Sequence, residues 1–554
     1  VRWQVLFIGL GMALAGILLA YLALTYVVRE VPTVGGTYIE GVAGTPHYIN
    51  PLLSAYNEAD ADVCKLVFNG LTRLNGRGEV EPELAIGWDT AASNEEVRYT
   101  FHLRSDVRWH DGEPFTADDV MATIRLLQDP DYPGPPDIGA LWRTAEAEKI
   151  DDYTVQFTLP NTFAPFLDFT TIGILPAHLF EGVRSADLPN VDFNLRPVGT
   201  GPFQLEEVEI VDGAITSILL VRNPDYFRSA AMLENFRLRF YPTHQSVIRA
   251  YEDGEIDGVN QVLLEDLPRA YEAEDLELYS AQMSQYALVF LNLSDADLSF
   301  FQDRDVRQAL MYGLDREQIV ESILEGQGLV AHSPVVANTW AYNENITQYT
   351  YDPERAAALM DRAGWRVPAG ASLRTKPGEP IFAFTLLAST SPLQTAVADE
   401  IARQWNQYDI RVTVATTSPL ALRDALEQRN FEAALVEISL PGDPDPYPLW
   451  HQTQITTGQN YAGFDHRRMS EVLERSRLVV DTTQRQALYD EFQAIYAEEV
   501  PAILLYHPFY TYGVNETVKG VQIPPLMYPA DRFATVNEWY VAWRRIIISE
   551  TEAR

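Results

Sequence analysis

Four prolines, Pro441, Pro444, Pro446 and Pro448, crowd into EISLPGDPDPYPLWHQTQITTGQNYAGF at residues 437–464. Each lacks a backbone donor and has its φ fixed, so neither a helix interior nor a central strand can run through them, and a stiff loop is predicted. Into this loop the sequence sets Tyr447, Trp450 and Tyr461 among Glu437, Asp443 and Asp445, with Gln452, Gln454 and Asn460 interspersed. Rings alternating with carboxylates suit the lining of a wet cleft. In such a cleft Tyr447, Trp450 and Tyr461 would stack on or box a solute, while Glu437 and Asp443 would answer a positive group. A carboxylate pair is also what a hydrolase needs. Asp443 and Asp445, however, flank prolines at fixed separation on one loop, which suits binding or turn geometry better than acid–base work.

Other chemistries leave no trace. The sequence contains no Gly-x-Ser-x-Gly, no phosphate-cradling GxxxxGK[ST], no Gly-x-Gly-x-x-Gly and no zincin helix. Cys64 is the one cysteine, which excludes an intramolecular disulfide and a cysteine-based zinc site; a buried, inert thiol is expected. Nine histidines without His-x-x-x-His spacing give no metal constellation, and no cofactor is expected. His110, Asp111 and Gly112 read as a turn rather than a catalytic pair.

A chain of 554 residues is too long for one hydrophobic core, so at least two domains are expected. With 41 Lys and Arg against 78 Asp and Glu, the net charge of −37 repels nucleic-acid phosphates and anionic lipid headgroups. Residues 5–28 carry no charge and, at about 1.5 Å rise per residue, are long enough to cross a bilayer core. The end of this run shows no small-residue cleavage site, which predicts an uncleaved N-terminal anchor with the rest of the chain extracytoplasmic.

The elements that must position the loop follow from periodicity. A strand at 35–40, a helix at 59–68, alternating strands at 98–104 and 153–159, a capped helix from Thr116 through 127, and strands at 215–221 and 236–241 build a mixed α+β first lobe. From residue 285 the rhythm changes. Strands at 286–293, 381–388, 410–416 and 431–437 alternate with helices at 304–313, 316–324, 393–407 and 420–428, which predicts an α/β lobe on a parallel sheet. The loop then leaves the carboxyl end of a strand, where such folds place ligands. Helices at 467–479 and 483–498 and a last strand at 502–507 finish this lobe, and the remainder is too short to fold alone and returns to the first. Chain crossings near 283–286 and 506–509 would form a hinge.

FNGL at 68–71, YTFHLRSDVRWHDGEPFTADDV at 99–120, VGTGPF at 198–203, RNPDYF at 222–227, DRDVRQALMYGLDREQIV at 303–320, and DPDPYPLWHQTQ with NYAGF in the loop together resemble the extracytoplasmic solute-binding proteins of peptide and nickel ABC transporters. The resemblance implies a two-lobed periplasmic-binding-protein-like fold with a hinge and an additional first-lobe subdomain. It implies an anchor and linker at 1–34, lobe I at 35–284, lobe II at 285–507 and a return to lobe I at 508–548. It also implies a receptor, not an enzyme, that closes on a small solute or peptide and presents it to permease subunits; a membrane-held ligand sensor of the same fold is the alternative. By the same resemblance Tyr56, Asn57 and Glu58 form the first-lobe wall. The aspartate that pairs with a peptide's amino terminus in this family falls, without gaps, on Leu440. Glu437, Asp443 or Asp445 could take that role from a shifted position, and a sugar or an opine-like compound would fit as well.

Overall fold

The computed structural model describes residues 11–12, 14–17, 26–93, 96–337, 339–440 and 442–549. Strict alternation makes the sheets. In Val97–Leu103, the side chains of Val97, Tyr99, Phe101 and Leu103 are buried and those between them point away. Burying each aliphatic or phenyl side chain contributes roughly 1.5–3 kcal/mol, which pins the register, since a one-residue slip would turn all four to solvent. This strand is central in an antiparallel sheet ordered Ala85–Ala92, Val97–Leu103, Thr154–Leu159, Glu146–Asp151. Against it lies the helix Ala117–Gln128, opened by the predicted capping box: the Asp119 carboxylate accepts the Thr116 N–H at 2.8 Å.

A second, twelve-stranded hydrogen-bonded network runs through the molecule, yet its buried side chains fall into separate cores. One draws on residues 38–240 together with 510–539, another on 286–506, and a small third on 247–276. The strand Ala502–Asn515 joins them. Its first half pairs with Gln285–Leu291, and its second half with Leu276–Gln282. It also extends the predicted strand at 502–507 by eight residues, through Pro508. A missing donor is tolerated there because residue 508 is where the strand changes partners. Met283 and Ser284 make the neighbouring crossing, so two adjacent segments connect the lobes.

In the second lobe only three strands are parallel: Arg411–Thr417, Ala383–Ser389 and Ala433–Ser439. Gln285–Leu291 runs antiparallel to Ala433–Ser439 and to Ala502–Asn515, so the sheet is mixed rather than parallel. In the first lobe, Arg532 is fully buried and ties three segments together. Its guanidinium donates to Glu40 at 2.7 Å and to Asp62 at 2.7 Å, linking the strand Thr37–Ala43, the helix Glu58–Val67 and the turn Pro529–Glu538.

Most of the predicted anchor at 5–28 lies outside the described residues. Its last three residues belong to the strand Tyr26–Pro32, paired with Trp543–Ser549, which β-branched Val27 and Val28 favour over helix. Among the described residues no helix is long and apolar enough to cross a membrane.

Candidate functional site

The proline-rich loop leaves the end of Ala433–Ser439 and faces the first lobe across a cavity of about 800 Å³. Ser439, Leu440, Gly442, Asp443, Asp445 and Pro448 form the second-lobe wall. The first-lobe wall comes from the helix Glu58–Val67 through Ala61, Cys64 and Lys65, from the 3-10 stretch Ala164–Thr171, and from the segment after Leu526.

The aspartates of the loop are spent on the loop. Asp443 is buried in an ion pair with Arg485, whose Nη2 lies 2.6 Å from Oδ1, and the Tyr489 hydroxyl donates to the same oxygen at 3.3 Å. Asp445 pairs with Arg477 at 2.6 Å, and that guanidinium also sits 3.8 Å over the Tyr447 ring. Both arginines come from the two helices that follow, Arg467–Leu478 and Thr482–Glu499, so these helices hold the loop in place through charge-assisted bonds. Neither aspartate is free to answer a ligand's positive group, because each already faces a guanidinium.

The rings do not wall the cavity either. Trp450 is 1% exposed and packs edge-on against Tyr496 with centroids 4.9 Å apart, a core residue of the second lobe. Tyr461 packs against Phe290 and beneath Arg429, and Tyr447 stacks on buried His451 at 4.1 Å. Burial of apolar surface wins over display here, since a short helix, Tyr447–Trp450, turns the indole inward. Glu437 is held by Gln285 and Gln394 at 3.0 and 2.9 Å, and it lies outside the cavity lining. Leu440 does line it. The Leu440 N–H is held by the Ser284 carbonyl at 2.8 Å, next to the crossing between lobes.

Of the predicted first-lobe residues, Tyr56 is 68% exposed and Glu58 is exposed, and neither is in the cavity lining. Asn57 caps the helix Glu58–Val67, accepting the Ala59 N–H at 2.9 Å. The lining flanks these residues on both sides, with Pro51, Ser54 and Ala55 before and Ala61, Cys64 and Lys65 after. Cys64 is buried, and that burial pushes its thiol well up, away from thiolate reactivity.

Sequence reasoning missed the charged groups of the first lobe. Lys65 pairs with Asp531 at 2.6 Å, and Arg73 and Arg228 both reach Glu83, at 3.1 and 3.5 Å. Asp168 crosses to the second lobe, where its carboxylate accepts the Asp443 backbone N–H. Gly442 makes that approach possible: its φ of +80° suits glycine, and a Cβ there would collide with the Asp168 carboxylate. Burial, and secondly the negative charge of Asp443, push the Asp168 carboxyl up to about 8.

Nothing in this arrangement forms a nucleophile with its base. Among the described residues, no group of three or more His, Cys, Asp or Glu side chains is placed to hold a metal. His110 accepts the Gly199 N–H at 3.2 Å and faces the Gly201 carbonyl at 3.1 Å, a scaffold link whose burial pushes the ring down to about 4.

Comparison with known proteins gives a consistent picture. Residues 79–460 match the family described as Bacterial extracellular solute-binding proteins, family 5 Middle. The oligopeptide-binding protein AppA of Bacillus subtilis is 27% identical over 522 residues, covering 92% of each chain. Its structure in complex with a nonapeptide superimposes with a TM-score of 0.68, over 92% of this chain and 100% of that one. A dipeptide-binding protein of Escherichia coli is 26% identical over 509 residues, covering 87% of this chain and 91% of the other. NikZ of Campylobacter jejuni, solved with Ni(L-His), is 25% identical with a TM-score of 0.70, over 91% of this chain and 99% of that one.

Proposed function

This chain belongs to family 5 of the bacterial extracellular solute-binding proteins, and we propose on that premise that it captures a peptide between its lobes and delivers it to an ABC permease. The observation that carries the reading is the cavity of about 800 Å³ walled by two lobes with separate cores and joined by two neighbouring strand crossings. A solute touching both walls binds the closed arrangement better than the open one, and only such differential contact shifts the equilibrium. No covalent step is needed. Residues 35–284 with 508–548 serve as one jaw and 285–507 as the other. The uncharged run at 5–28 supplies the tether that keeps the receptor at the extracytoplasmic face of the membrane, a role that rests on its length and composition.

The cavity wall in this reading includes Leu440, Gly442, Asp443, Asp445, Asp168 and Lys65, with Arg485 holding Asp443 in place and Trp450 packed in the second-lobe core. The decisive experiment identifies by mass spectrometry what copurifies with the chain, then tests it by thermal shift and solution scattering. A bound peptide that raises the melting temperature and compacts the particle is the expected result. A panel of peptides and metabolites that does neither would remove the receptor reading.

A further inference from the structure

Ten charged side chains line the cavity, and their pairing is uneven. The loop aspartates, Lys65 with Asp531, and Glu83 with its two arginines are all in ion pairs. Among the described residues the two lining charges outside any ion pair are Asp168 and Asp137, both negative, and Arg485 acts on Asp168 only from its pair with Asp443. Asp137 sits exposed at the rim, in the helix Pro136–Trp142. Asp168 sits inside, at the junction of the walls, half-buried in the cavity lining, with one carboxylate oxygen accepting the Asp443 N–H. A half-buried carboxylate facing a second aspartate across a closed gap is costly unless a cation arrives or a proton stays on.

We infer that Asp168 is the anchor for a primary ammonium group of the ligand, taking from the first lobe a role that Leu440 cannot fill from the second. The inference rests on the peptide reading and sharpens it: a ligand with a free amino terminus would place that ammonium against Asp168, while Leu440 packs along its side chains. Placing the anchor at the lobe junction also couples capture to closure, because Asp168 meets the second-lobe wall at the Asp443 N–H, so an ammonium held there lies against both walls. Asp168 then ionises as the ammonium docks, so binding near neutral pH releases a proton.

Calorimetry with trialanine, N-acetyl-trialanine, trialanine amide and putrescine, on the wild type and Asp168→Asn, tests this. Asparagine keeps the shape and can still accept the Asp443 N–H, and the acetylation comparison on the wild type decides the matter even if the variant does not fold. The wild type should bind trialanine and its amide at least about tenfold more tightly than the acetylated form, with heats that differ between phosphate and Tris as proton release requires. Asp168→Asn should lose that preference and the proton. A wild type that binds N-acetyl-trialanine as tightly as trialanine overturns the anchor and leaves the peptide reading standing. Binding of putrescine alone, lost in Asp168→Asn, does the reverse. No binding by any of the four overturns both.

Discussion

The two walls of the cavity differ in how completely their carboxylates are paired. In the second lobe, Asp443 and Asp445 are locked to Arg485 and Arg477, so the wall is rigid and electrically closed before any ligand arrives. In the first lobe, Glu83 and Asp531 are paired as well, but Asp168 is in no ion pair and meets the Asp443 N–H across the gap. A carboxylate paired with a guanidinium is fixed by that pair, whereas Asp168 keeps no ion pair of its own. The contrast also explains why a loop so rich in aspartate and aromatic residues is architecture. Its rings extend the second-lobe core, its acids bolt it to two helices, and Ser439, Leu440, Gly442 and Pro448 face the cavity.

The largest break in that contrast is Arg485→Met, which removes the guanidinium and leaves Asp443 buried without compensation. Losing one partner of a buried pair costs about 3–5 kcal/mol, so the second-lobe transition in a urea titration should move to markedly lower denaturant. An unchanged midpoint would mean that the loop does not depend on this pair. Gly442→Ala comes next. A left-handed φ at a residue with a Cβ costs about 1–2 kcal/mol, and here the added methyl also meets Asp168 across the gap. The penalty should therefore fall on closure, with trialanine affinity reduced about tenfold and the ligand-free particle more expanded in solution scattering. Equal affinity in the variant would detach Gly442 from the closed state.

Local chemistry was readable and distant chemistry was not. The capping box at Thr116 and Asp119, the alternation in Val97–Leu103 and the stop imposed by the prolines all depend on neighbours in sequence, and the structure has them. The partners of Asp443 and Asp445 lie 42 and 32 residues further on, on helices whose facing surface no periodicity specifies. Trp450 shows the same limit from the other side. A ring in a loop reads alike whether it faces a core or a cleft, and here hydrophobic burial decided in favour of the core. Asn57 carried a legible signal of another kind, since an asparagine before an acidic helix start is an N-cap. Asp168 had no local signal at all, because its meaning comes from Asp443 on the opposite lobe.

The smallest effect expected is a difference in slope. In the ligand-free protein the Asp168 carboxyl is held up to about 8 by burial and by Asp443, against an ordinary value near 4. The groups that act on it are Asp443 and Arg485 on the second lobe, and the Tyr528 hydroxyl lies near it on the first. A carboxyl that titrates higher in the folded protein binds its proton more tightly there than when unfolded. The stability it contributes is therefore complete below about pH 4 and is lost as pH rises towards 8. Asp168→Asn has no such proton to lose. Its melting temperature should fall less between pH 5 and 8 than that of the wild type, with the two curves converging at the acid end. Parallel curves would show that water already solvates Asp168 in the closed gap, and the contrast between the walls would reduce to one of pairing alone.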